Sequence, residues 1–163
     1  MRVRLFAFAG LVLVLSALVA VSPAAAGSEG SDGATACVLN TQLLPENEFR
    51  APGATVDPTV ESVAHGIAQI KVRNDGTIEW KVFISNPAAE TFVAGHIHVG
   101  PPGANGPVIQ GLFGGSSIDT TFQDSGEVSN PALATNLCAT PAAYYVNYHT
   151  TQDPVGAVRG QLG

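Results

Sequence analysis

Between Ala64 and Ile84 the chain alternates apolar and polar residues at period two on both sides of one tight turn, and this constrains the fold more than any other feature. Ala64, Gly66, Ala68, Ile70 and Val72 fall on one side, and His65, Ile67, Gln69, Lys71 and Arg73 on the other. Asn74-Asp75-Gly76 follows, a run suited to a hairpin turn. Ile78, Trp80, Val82 and Ile84 then alternate with Thr77, Glu79, Lys81 and Phe83. Successive side chains of a strand point to opposite faces. The segment therefore reads as an antiparallel hairpin with one apolar face packed inward and one mostly polar face in water. Trp80 lies on the apolar side and belongs to the core rather than to a ligand platform.

Other short runs fit the same plan. Strands are expected at 37–44, 91–99, 108–113, 118–122, 144–150 and 157–162, with Gly114-Gly115 separating two of them. Residues 45–58 read as a loop, Gly100 to Pro107 as a rigid Gly/Pro turn, and Asp153-Pro154-Val155-Gly156 as the last turn. A helical turn or short helix is expected after Pro131. With seven or eight short strands, no long helix and no repeat, the fold class is all-β: an antiparallel Greek-key β-sandwich or barrel.

Residues 1–26 have the pattern of a secretory signal peptide. Arg2 and Arg4 precede an apolar run from Leu5 to Val21, and Ala24-Ala25-Ala26 places cleavage before Gly27. The alternative is an uncleaved anchor, the run being about the minimum for a spanning helix. A flexible leader over 27–36 and one β domain over 37–163 complete the expected organisation. The net charge is −6, and the signal segment carries two of the positive charges. Arg50, Lys71, Arg73, Lys81 and Arg159 are the remaining strong cations and form no patch, which argues against nucleic acid and anionic membranes as partners.

Cys37 and Cys138 are the only two cysteines. In an exported chain an isolated pair reads as a disulfide, the alternative being two buried free thiols. Without a Cys-x-x-Cys spacing, thiol-redox chemistry has no support.

His96-Ile97-His98 and the later His149 are the candidate site. His96 and His98 share one strand face, about 6.5–7 Å apart, near enough to lean onto one metal ion. Imidazole suits copper, zinc, nickel and iron, and three histidines with one open position resemble a catalytic zinc or copper site. Glu48 is a candidate ligand, or an acceptor that fixes an imidazole tautomer. Asn147 shares the strand face of His149. The competing account is architectural: the histidines pack between strand and loop and hydrogen-bond backbone or Asn147. Arg159 either binds an anion or, as favoured here, forms a salt bridge to Glu46 or Glu48. Tyr144, Tyr145 and Tyr148 cannot all face inward from one strand, so at least one is expected at the surface.

Several stretches together resemble the CHRD family, the domain of chordin and of many microbial secreted proteins. These are Glu46-Asn47-Glu48, Gly66 with Ala68, Asp75-Gly76-Thr77, 95–103 with Gly106-Pro107-Val108, Tyr145-Val146-Asn147-Tyr148-His149-Thr150, and Pro154 to Leu162. The resemblance covers most of 37–163 and implies an extracellular β domain with no established reaction. Pro45 stands where the family usually has Gly. Phe49-Arg50-Ala51-Pro52 replaces its frequent Val-Pro-Pro, so the first loop is expected to differ in shape. A looser likeness is to the copper/zinc superoxide dismutase barrel, where His-x-His and a later strand His occur in the same order. The chain has no His between His98 and His149, so that family's bridging histidine and zinc ligands are missing. His65 is a fourth ligand only if folding brings its strand to the others.

The function expected is a secreted, non-catalytic binding module for an extracellular protein or a cell-surface component. The alternative is a mononuclear copper or zinc protein, including a metal-dependent oxidoreductase or a metal scavenger. No cofactor beyond one such ion is implied. No nucleophile elbow or phosphate loop occurs.

Overall fold

The computed structural model describes residues 33–49 and 60–163. The proposed signal peptide, most of the leader and the loop segment 50–59 lie outside the described residues. Among the described residues, eight strands and one α-helix follow in the order β1 (Thr35–Leu43), β2 (His65–Arg73), β3 (Thr77–Ser85), β4 (Phe92–Val99), β5 (Val108–Ser117), β6 (Thr121–Ser129), α1 (Pro131–Ala139), β7 (Tyr144–Thr150) and β8 (Val158–Gln161). Two antiparallel sheets result, with strand orders β1-β2-β3-β6 and β5-β4-β7-β8. β3 and β6 pair directly although the β4–β5 hairpin of the other sheet lies between them in the chain. The sheets face each other as a sandwich and do not close into a barrel.

The β2–β3 hairpin forms where the alternation places it. Gly76 takes φ of 83° in the turn, a conformation that a Cβ disfavours. The Asp75 carboxylate accepts the Thr77 N–H at 2.8 Å, stapling the exit of the turn. The apolar side of the hairpin supplies Ile70, Val72, Ile78 and Ile84 to the core, where they meet Phe92, Ile97, Val146, Tyr148 and Val158 of the second sheet. Each such aliphatic side chain contributes about 1.5–3 kcal/mol by leaving water. Trp80 lies in this core and donates from Nε1 to Asp124 at 3.0 Å. The Tyr148 hydroxyl donates to the same carboxylate oxygen at 2.6 Å, so one Asp satisfies polar groups from both sheets.

The helix begins at Pro131, with the Asn130 side chain capping the Leu133 N–H at 3.2 Å. It buries Leu133 and Leu137 and carries Cys138, which is disulfide-bonded to Cys37 on β1. Among the described residues no helix is long and apolar enough to cross a membrane.

Two boundaries differ from expectation. Gly114-Gly115 does not divide two strands: β5 runs through both glycines, and the shifts in register against β4 absorb the irregularity. As an edge strand β5 can bulge without disturbing a second neighbour. Residues 118–122 are not a separate strand either. Ile118 is exposed in the connection, and β6 starts at Thr121 and continues to Ser129.

Candidate metal centre

Every residue of β7 is at least half-buried, so both faces of the second sheet are covered along this strand. The inner face is the apolar core. The outer face is polar and lies under three connections: 44–49, 100–107 and 153–156. Register places its residues in rows. His96 pairs with Asn147 and Asn147 with Arg159; His98 pairs with Tyr145 and Tyr145 with Gln161; Ala94 pairs with His149. Side chains at period two along each strand therefore converge on one surface.

His96, His98 and His149 come together there, with candidate ligand nitrogens all within 4.8 Å of one another. His96 Nδ1 faces His149 Nε2 at 3.2 Å. Two ligands about 2.0–2.1 Å from a tetrahedral ion stand about 3.3–3.4 Å apart, so this pair is already near coordinating separation. His98 Nδ1 donates to Gly106 O at 2.9 Å, and His149 Nδ1 donates to Pro154 O at 3.2 Å. These contacts fix the tautomers and leave Nε2 of both rings unprotonated, the arrangement that outer hydrogen bonds give to metal-ligating histidines; that of His149 is met by His96 Nδ1. His98 Nε2 is buried and has no hydrogen-bond partner.

The electrostatics keep the cluster uncharged at neutral pH. Burial, with the adjacent His96 and His98 also opposing its protonation, lowers the pKa of His149 to about 4. Burial also lowers His98 and His96. Three neutral imidazoles offer lone pairs without first releasing protons.

The surrounding residues have defined tasks. Asn147 Nδ2 donates to Glu48 Oε2 at 3.3 Å. Glu48 thus bonds Asn147, the ladder partner of His96, and is not a member of the ligand cluster. Gly156 passes so close that a Cβ there would lie 2.5 Å from Glu48 Oε2, which explains a glycine in that turn. His65 lies exposed on the first sheet, bonded locally to Val63 O, and does not join the cluster.

Arg159 departs from the expected salt bridge. It is 1% exposed, and its guanidinium donates to Asn105 Oδ1 at 3.0 Å and Ala104 O at 2.9 Å, with longer bonds to Pro101 O and Gln161. Glu48 acts on it through charge alone. The planar cation matches several loop oxygens at once, which a single carboxylate partner would not. The loop it pins is the one that supplies the Gly106 carbonyl to His98. The expectation of a surface tyrosine also fails. Tyr144 and Tyr148 face the core, while Tyr145 faces outward and is nevertheless 2% exposed beneath the 100–107 loop. Its ring stacks on His98 with centroids 4.7 Å apart and carries the Arg159 guanidinium 3.5 Å from its centroid. Its hydroxyl is bonded to Gly106.

Sequence reasoning did not single out Tyr145, Asn105, Gly106 or Pro154 as part of the site. Three of these act through loop backbone or a loop amide, and residue identity carries little trace of such roles. Asn105-Gly106-Pro107 read only as a turn.

An eight-stranded sandwich with a three-histidine cluster on the covered outer face of one sheet defines an all-β module with a candidate metal centre. The chain belongs to the CHRD domain family, which matches residues 39–162. Comparison with curated proteins and with solved structures returns no match.

Proposed function

We propose that this CHRD-domain protein is secreted and holds one copper or zinc ion on His96, His98 and His149, acting as a binding module for an extracellular protein or a cell-surface component. The observation that carries the metal reading is the orphaned His98 Nε2, buried within 4.8 Å of its partner nitrogens. A buried acceptor without a donor is unfavourable by about 1–3 kcal/mol, and a cation at the convergence point relieves it. Imidazole ligands fit both metals. The disulfide and the signal-like first 26 residues support export.

A non-catalytic role is favoured because, among the described residues, the three imidazoles hydrogen-bond only to one another and to backbone carbonyls. None is paired with a nucleophile. The oxidoreductase reading draws on a different observation: His96 and His149 are only half-buried, which leaves a way for a small molecule to reach the ion. Titration with copper(II), followed by electron paramagnetic resonance, tests the site. Nitrogen hyperfine structure from several imidazoles is expected, and it should vanish in His96→Ala/His98→Ala. A copper spectrum unchanged in that double variant would sink the assignment. An altered spectrum on adding azide to the wild type would move the reading toward the enzyme.

A further inference from the structure

One polar atom beside the three histidines has no task in the arrangement described so far. Asn147 is 3% exposed, and its Oδ1 is buried without a hydrogen-bond partner. The amide orientation is settled by its other end. Nδ2 faces a Glu48 carboxylate oxygen, and a flipped amide would set two acceptors against each other. Glu48 follows the segment that pairs with Arg159, and Gly156 leads into β8, so both lie on the β8 side of Asn147. A planar amide with its nitrogen on that side turns its oxygen toward β4, where His96 is the direct ladder partner. His149 stands two residues along the same face.

Resting on the metal reading above, we infer that Asn147 is a positioning acceptor for a small protic ligand at the ion's remaining coordination position. The ligand class is water or another small O–H or N–H donor. Its oxygen or nitrogen meets the metal and its proton meets Oδ1. The same oxygen presents a lone pair to any incoming anion that has no proton to give, so the centre discriminates against such anions. Glu48 contributes by holding the amide in this orientation. A buried acceptor that only filled space would carry no such preference.

Copper-loaded wild type, Asn147→Leu and Glu48→Gln decide the matter. The probes are the metal alone and sodium azide, an aprotic anion at neutral pH. In the wild type, proton ENDOR of the copper(II) form should show a strongly coupled proton that disappears in deuterium oxide. Asn147→Leu, with copper stoichiometry unchanged, should bind azide about tenfold more tightly. Glu48→Gln lets the amide rotate and should shift azide affinity in the same direction. Azide affinity unchanged within twofold in copper-loaded Asn147→Leu overturns the inference while leaving the metal site intact. Should Asn147→Leu fail to fold, absence of the exchangeable proton in the wild type overturns it equally. A wild type that retains neither copper nor zinc removes the metal reading itself, a separate and distinguishable failure, and this inference with it.

Discussion

Acid should destabilise the metal-free protein through His149 in particular. In the unfolded chain a histidine titrates near 6.5, whereas burial and two neighbouring imidazoles hold His149 at about 4 in the fold. Between those values the unfolded state binds a proton that the folded state does not. Stability is therefore complete above about pH 6.5 and falls as pH drops toward 4. Over the interval from pH 7.5 to 4.5 the loss amounts to about 2 to 3 kcal/mol for this one residue, at the lower end because the ring retains some contact with solvent. Such a loss is a large share of the 5–15 kcal/mol typical of a whole domain. The measurement is urea unfolding of chelator-treated protein at both pH values, compared with His149→Asn. The variant should lose about 2 kcal/mol less than the wild type over the interval. Equal losses, within about 0.5 kcal/mol, would refute the claim that the cluster is held neutral by burial. Loading the site should raise stability across the interval without flattening its fall toward acid, since an ion bound to the neutral rings stabilises the folded state while the unfolded chain still takes up the proton.

Other consequences follow from the same geometry. Arg159→Met should destabilise by about 3 kcal/mol, because Asn105 Oδ1 and the Ala104 carbonyl lose their buried donor; chemical denaturation checks this. A stable variant would show that the loop is held by its prolines and not by the cation. Cys37→Ala/Cys138→Ala should lower stability by about 2–5 kcal/mol, since the bridge spans a sequence separation of 101 residues. A thermal midpoint unchanged from wild type would mean that the helix docks without the covalent tie. Ile70→Ala, at a fully buried position between the sheets, should destabilise by about 2–5 kcal/mol without altering metal uptake. Loss of uptake in folded Ile70→Ala would show that core and site are coupled.

Much of the fold was legible because period-two alternation reports which side of a strand is dry. The 64–84 hairpin, its turn and the position of Trp80 all follow from that pattern. The pairing of His96 with His98 follows from it too. The approach of His149 does not, because it depends on which strands become neighbours. Only the β4–β7 ladder, with Ala94 opposite His149, brings that ring over the His96 row. Alternation likewise required that the three tyrosines of 144–148 not all face inward, but it could not reveal that a loop covers the outward one, Tyr145. The cover is made of main-chain carbonyls at Pro101, Ala104 and Gly106, and these look the same whatever residue carries them. Arg159 was misjudged for the same reason. A lone cation among carboxylates reads as an ion pair, while its fork is in fact matched to a set of loop oxygens. Gly114-Gly115 broke the apolar pattern without breaking the strand, because an edge strand tolerates bulges.

The most direct test of the central claim is elemental analysis of residues 27–163, produced without a histidine tag, exposed to copper and zinc and then exhaustively desalted. One equivalent of copper or zinc per chain, absent from His96→Ala/His98→Ala, is the expected result. No retained metal in folded, disulfide-bonded protein would contradict the account and return the three histidines to a purely architectural role.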